Sequence, residues 1–200
     1  MLYDISQPLF ECEVFPGEPK PEKKELSRIA AGALYNLTAV SMCVHNGTHV
    51  DAPYHFIEDG KAIDQIILSR FIGPAYVEAH TGEVSESDAK QIIEHAKKLD
   101  ARAWKKILIK GKATVTLEAA AVFADAGIDL IGNESQTVGP EAAPMAVHLA
   151  LLQKEVVLLE GIRLSHVPDG VYLLNCAPLN LTGTDGSPCR AVLMDLRDTN

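Results

Sequence analysis

Apolar positions recur along the chain in two periods. Runs of about four to eight apolar or β-branched residues predict strands over Leu37–Val44, Ala75–Ala79, Lys106–Ile109, Val156–Leu159, Val171–Asn175 and Ala191–Leu196. Helical signals mark three further segments. Ser85 is placed to cap Glu86–Leu99, with Asp88 completing a capping box. Thr116 is placed to cap Leu117–Ala126, and Gly127 follows where helices commonly end in a left-handed residue. Met145, His148, Leu149 and Leu152 share one helical face behind Pro144, a favoured first-turn residue. Strands and helices interleave, with more strands toward the ends, so the expected class is α/β or mixed α+β. Pro16-Gly17-Glu18-Pro19-Lys20-Pro21 can sustain neither helix nor a central strand and reads as a loop.

Composition narrows the picture. The 200 residues are 47% hydrophobic and 22% charged, close to a soluble globular average and unlike a disordered chain. One domain over residues 1–200 is expected. No apolar run approaches the roughly 20 residues of a transmembrane helix. No basic, apolar leader opens the chain, so a cytoplasmic location is expected. The formal net charge is −9, and basic residues cluster only briefly, at Lys20/Lys23/Lys24 and Lys105/Lys106/Lys110/Lys112. Nucleic acid and anionic membrane are therefore excluded as expected partners. Cys12, Cys43, Cys176 and Cys189 form no C-x-x-C pair and read as reduced thiols.

The chemistry concentrates in His45-Asn46-Gly47-Thr48-His49-Val50-Asp51-Ala52-Pro53-Tyr54-His55. His45, His49 and Asp51 offer two imidazoles and a carboxylate, the donor set of many catalytic metal sites. Gly47 permits a sharp turn between the histidines, and Pro53 stiffens the backbone before His55. The segment reads as a strand leaving the core, turning, and presenting polar side chains from a loop. A second group lies downstream. His148 on an apolar helical face is either a satisfied core histidine or a ligand. Glu160 ends the apolar run Val156–Leu159, where a carboxylate is costly without a partner. A metal or a base such as Arg163 would neutralise it. His148 and Glu160 could complete a second metal's shell with Asp51 bridging, and two adjacent cations suit amide or ester hydrolysis. Cys43 reads as a small buried residue rather than a ligand. His80, His95 and His166 are isolated and read as surface or structural. The polar run Asn133–Thr137 follows Leu130-Ile131, and such strand-end loops often line sites.

His45 to Phe56 spells H-x-G-T-H-x-D-x-P-x-H-F, which resembles the signature of the metal-dependent cyclase-like hydrolases, a family that includes bacterial kynurenine formamidase and isatin hydrolase. Tyr3–Ser6 with Phe15–Pro19, Leu130-Ile131-Gly132 with Ser135, and Gly183–Ala191 are similar to the family's opening, central and closing segments. The resemblance implies a swivelling β/β/α fold and a homodimer or higher homo-oligomer. It implies one divalent metal, zinc or manganese, on His45, His49 and Asp51, and a second on Asp51, His148 and Glu160. His55 would be the proton donor and acceptor. The implied activity is metal-dependent hydrolysis of an amide in a small molecule, either an arylformamide of the N-formylkynurenine type or a cyclic amide. A lyase or oxygenase, or a non-catalytic metal-binding protein, is the rival reading. Phe15 stands where kynurenine formamidases often carry a substrate-holding tryptophan. Its ring either stacks on an aromatic substrate or packs under its own loop.

Overall fold

A computed structural model describes residues 1–195. Its centre is a nine-stranded sheet in the order β1-β13-β11-β5-β7-β9-β10-β4-β12. The strands are β1 (Leu2–Asp4), β4 (His49–Asp51), β5 (Ile72–Ala79), β7 (Lys106–Lys110), β9 (Leu130–Asn133), β10 (Val157–Glu160), β11 (Gly170–Asn175), β12 (Gly186–Pro188) and β13 (Val192–Asp195). The four central strands β5, β7, β9 and β10 run parallel. They are joined through helices α1 (Glu86–Leu99), α2 (Leu117–Ala126) and α3 (Met145–Leu152), and antiparallel strands extend the sheet on both sides. Two small ribbons stand apart: β2 (Glu22–Ser27) pairs with β3 (Leu37–Ser41), and β6 (Gly82–Val84) with β8 (Ala113–Val115). The class is mixed α/β, as the interleaved pattern predicts.

The central strands are apolar on both faces because both are covered. Ile107, Ile109, Ile131 and Leu158 meet the helices through Ile92, Ala96, Phe123 and Leu151. Leu108, Leu130, Val157 and Leu159 point the other way, onto Val50, Phe71, Tyr172 and Leu174. Helices α1 and α2 begin and end as predicted. The Ser85 hydroxyl accepts from the Asp88 N–H at 3.2 Å while Asp88 accepts from the Ser85 N–H at 2.9 Å. Thr116 accepts from the Ala119 N–H, and Gly127 closes α2 at φ 73°.

Strand bounds differ by a few residues from the sequence expectation, and Leu196 of the last expected strand lies outside the described residues. Two expectations need correction. Leu37–Ser41 is a strand, but in the β2–β3 hairpin rather than the core. Consequently the chain does not leave the core before the histidines but enters it. His49 and Asp51 sit on core strand β4, not on a loop.

Candidate metal centre

The site grows from strand alternation. On β4, Val50 turns into the apolar core while His49 and Asp51 face the opposite side. The antiparallel register places His49 opposite Glu160 and Asp51 opposite Leu158 on β10. Leu158 belongs to the helix-covered face, so both acids and His49 look toward the helix layer. His148 projects from α3 into the same space and is likewise buried. Two turns allow the close approach. Gly47 adopts φ 67° ahead of β4, and Gly161 adopts φ 67° just after Glu160. A Cβ on Gly161 would lie 2.3 Å from the Gly47 carbonyl oxygen, so only glycine fits where these two segments cross.

The donors converge closely. Asp51 Oδ1 lies 3.0 Å from His45 Nδ1 and 3.4 Å from His49 Nε2. Glu160 Oε2 is 3.4 Å from His49 Nε2, and Oε1 is 3.3 Å from His148 Nε2. Asp51 Oδ2 is 3.6 Å from His148 Nε2, and no hydrogen bond satisfies this fully buried oxygen. Backbone groups orient the rings from behind. His49 Nδ1–H donates to the Gly47 carbonyl at 3.0 Å, and His148 Nδ1–H donates to the Pro144 carbonyl at 2.9 Å. Each Nε2 is thereby turned inward toward the buried carboxylates, the orientation in which backbone carbonyls usually hold metal-binding imidazoles. Glu160 is held by the Val138 N–H on Oε1.

Electrostatics agree with a cationic occupant. Burial alone would lower the pKa of His45, but Asp51 and Asp185 reverse this and raise it to about 11. His148 is likewise disfavoured by burial yet raised to about 10 by Asp51 and Glu160. Burial would raise Asp51, but the surrounding histidines hold it well below the carboxylate range. Buried carboxylates here therefore take charge compensation from imidazolium when no metal is bound. Two donor groups have the spacing to grip an ion: His49, Asp51 and Glu160, and His45, Asp51 and His55. Nitrogen and carboxylate donors with an unsatisfied buried Asp51 oxygen fit a divalent cation.

All six expected site residues come together with Phe15. A cavity of about 190 Å³ is lined by His45, His49, His55, His148 and Glu160, with Phe15 on its wall. His55 is the least buried of the histidines there, with its ring 4.1 Å from that of His45 and 4.5 Å from Phe56. Gln136 and Thr137 of the polar loop also reach the cavity. Arg163 does not neutralise Glu160; it donates to the Glu134 and Ile162 carbonyls and pairs with Glu13.

Two participants are absent from the sequence expectation. Asp185 Oδ2 lies 2.7 Å from His45 Nε2 and 3.2 Å from His55 Nδ1, tying the two rings together. Its backbone carbonyl receives the Ala52 N–H, which fixes it beside the end of β4. Glu18 also lines the cavity, with Oε2 buried and unpaired. Nothing local marks Asp185, 130 residues beyond His55, although it falls within the closing segment Gly183–Ala191.

The fold and this buried histidine–carboxylate cluster define a metal-binding α/β protein. The Cyclase family model matches residues 3–140, and the chain belongs to that family. A kynurenine formamidase of Salinibacter ruber is 35% identical over 98% of this chain and 99% of its own. A solved predicted metal-dependent hydrolase from Bacillus stearothermophilus is 27% identical and superposes with a TM-score of 0.77 over 96% of this chain and 97% of that one. Isatin hydrolase A from Ralstonia solanacearum, 19% identical, shares the fold at a TM-score of 0.80 over 98% and 92% of the two chains.

Proposed function

We propose that this protein is a metal-dependent hydrolase of amide bonds in small molecules, acting on an arylformamide. The observation that carries the reading is the buried set His49, Asp51, His148 and Glu160 with its unsatisfied Asp51 oxygen. Kynurenine formamidase relatives across nearly the whole chain favour the arylformamide over a cyclic amide. One ion is assigned to His45, His49 and Asp51, and a second to Asp51, His148 and Glu160. A divalent cation held by these residues, zinc or manganese, would supply Lewis acidity toward an acyl oxygen and a bound water.

The protein's own groups do the rest. His55 faces the cavity from its rim and is assigned the proton transfer to the leaving nitrogen, a task suited to imidazole. Asp185 accepts from His55 Nδ1–H, which leaves Nε2 as the atom that exchanges the proton. Phe15 supplies an aromatic wall for an aryl group, and the surrounding apolar side chains limit water. The enzyme is assigned as one domain, a homodimer or higher homo-oligomer, and cytoplasmic; four free cysteines suit a reducing compartment.

The test is elemental analysis of purified protein followed by an anaerobic screen of N-formyl-arylamines and cyclic amides. Stoichiometric divalent metal with oxygen-independent release of formate supports the proposal. Metal-free active protein, or a strict need for oxygen, would sink it.

A further inference from the structure

Most polar groups on the wall of the metal cavity are already committed. The imidazoles face carboxylates, and those of His49 and His148 are anchored from behind by backbone carbonyls. Gln136, with its amide turned to satisfy both ends, donates to the Gly47 carbonyl at 3.1 Å and accepts from Gln7 Nε2 at 2.7 Å. Two groups are left over. Glu18 Oε2 and Thr137 Oγ1 are buried, both belong to lining residues, and neither has a hydrogen-bond partner. Leaving buried polar atoms unpaired is costly, and native structures rarely do so without a use.

The backbone fixes both residues where they stand. The Glu18 N–H closes a turn onto the Phe15 carbonyl at 3.1 Å, at the foot of the β2–β3 arm. Asn46 Nδ2 donates to the following carbonyl, that of Pro19, at 3.1 Å. Asn133 Nδ2 donates to the Thr137 carbonyl at 3.0 Å, and the next N–H, that of Val138, holds Glu160.

A metal does not account for the Glu18 oxygen. Neither donor group spaced to grip an ion, among the described residues, includes Glu18. Nor does the wall offer a cation, since no lysine or arginine lines the cavity. The missing partner is therefore a donor brought by a ligand. A carboxylate only accepts, whereas a hydroxyl can donate. One acceptor and one donor left unspent beside a hydrolytic site match a secondary amide, which brings one N–H and one C=O. Given the amide-hydrolase function proposed above, we infer that Glu18 Oε2 receives the N–H of the scissile amide and that the Thr137 hydroxyl donates to its acyl oxygen, so that the site selects secondary amides over esters of the same shape. An ester keeps the acyl oxygen but sets a lone pair against the Glu18 carboxylate where the amide sets a proton. A site built to hydrogen-bond a substrate N–H rejects such an analogue strongly, because the buried acceptor is left unpaired. Glu18 is thus a specificity residue, and the proton transfer to the leaving nitrogen stays with His55.

The experiment compares kcat/KM for formanilide and phenyl formate, corrected for spontaneous ester hydrolysis, in metal-loaded wild type, Glu18→Leu, Glu18→Gln and Thr137→Val. Leucine keeps the bulk and removes the acceptor, so the amide-to-ester ratio should fall roughly 10- to 100-fold, the weight of a hydrogen bond to a charged group. Glutamine keeps an acceptor oxygen and should recover part of the ratio. Thr137→Val should lower both substrates alike, by roughly two- to ten-fold, because both carry the acyl oxygen. It should also melt no lower than wild type, since a methyl replaces an unpaired hydroxyl. Metal content should match wild type in all three variants. An amide-to-ester ratio that survives Glu18→Leu overturns the assignment of Glu18 and leaves the hydrolase function standing. So does metal loss in that variant, which would make Glu18 a ligand. Undiminished activity in Thr137→Val overturns the assignment of Thr137. Metal-loaded wild type that cleaves neither substrate sinks the hydrolase function and the specificity together.

Discussion

The metal centre and the β2–β3 arm break the same rule in opposite directions. At the centre, His49, Asp51, His148 and Glu160 are buried where apolar residues would ordinarily sit. On the arm, leucine, isoleucine and tyrosine stand in water. Burying charge is expensive unless it is compensated, and exposing large apolar groups forfeits their transfer energy. Each region is therefore incomplete in a way that its chemistry identifies. The centre holds a buried Asp51 oxygen that no hydrogen bond satisfies; the arm lacks apolar cover.

The largest effect should come from removing the charge at the heart of the centre. Asp51→Asn keeps the shape but removes the carboxylate that touches His45, His49 and His148. It should abolish metal retention and, with it, activity. His55→Ala should retain metal and lose turnover by roughly 10²–10⁴, the range for an acid–base group. Metal content of both variants separates the roles. His55 lies within reach of His45 and Asp51 as an alternative ligand set, so equal metal loss would make it a ligand and not a proton relay.

Next in size is the competition between metal and protons. Without metal, His45 and His148 sit near pKa 11 and 10, above the ordinary imidazole value of 6.5. A raised pKa in the folded state stabilises the metal-free fold fully below the unfolded value, and that stabilisation fades as pH rises through 10 to 11. Metal must displace these protons, so metal affinity should climb with pH from about 6 upward. The stability gap between loaded and chelated protein should widen in parallel. Competition titrations with a chromogenic chelator and thermal melts measure the two slopes. Affinity that is flat in pH would mean that the titrating histidines are not the ligands.

A smaller loss is expected at Asp185. Its carboxylate joins His45 and His55 from outside both proposed ligand sets, and removing such an orienting partner typically costs about 10- to 100-fold. Asp185→Asn should lower kcat with little change in KM, because the substrate is not held by it. Retained metal with unchanged kcat would show that His55 is oriented by other contacts.

What sequence alone revealed divides along the same line. Helices α1 and α2 announce themselves through caps and periodicity, signals read within a few residues. Strand β4 does not: its three residues are His-Val-Asp, and only pairing with β10 and β12 makes them a strand. Strand β12, Gly-Ser-Pro, is hidden for the same reason. Leu37–Ser41 shows the converse failure, since β propensity identifies a strand without saying which sheet it joins. The histidine–carboxylate cluster was legible because its residue types are rare together. Asp185 and Glu18 were not, because a lone carboxylate becomes informative only when its neighbours are known.

The smallest effect should lie at Phe15, the residue where the two regions meet. It lines the cavity and stands at the foot of the arm, on the turn that the Glu18 N–H closes onto the Phe15 carbonyl at 3.1 Å. If its ring stacks on an aryl substrate, the contact contributes about 0.5–1.5 kcal/mol beyond area burial. That corresponds to roughly two- to twelve-fold in affinity. Phe15→Ala should then raise KM for an aryl formamide by that factor while leaving KM for an aliphatic formamide of similar polarity nearly unchanged. The comparison is informative because the two roles of Phe15 affect the two substrates differently. Stacking discriminates between aryl and aliphatic groups, whereas a collapsed turn would displace Glu18 and the arm's foot and harm both substrates alike. Equal rises in KM would therefore make Phe15 a support for the arm rather than a wall for the substrate.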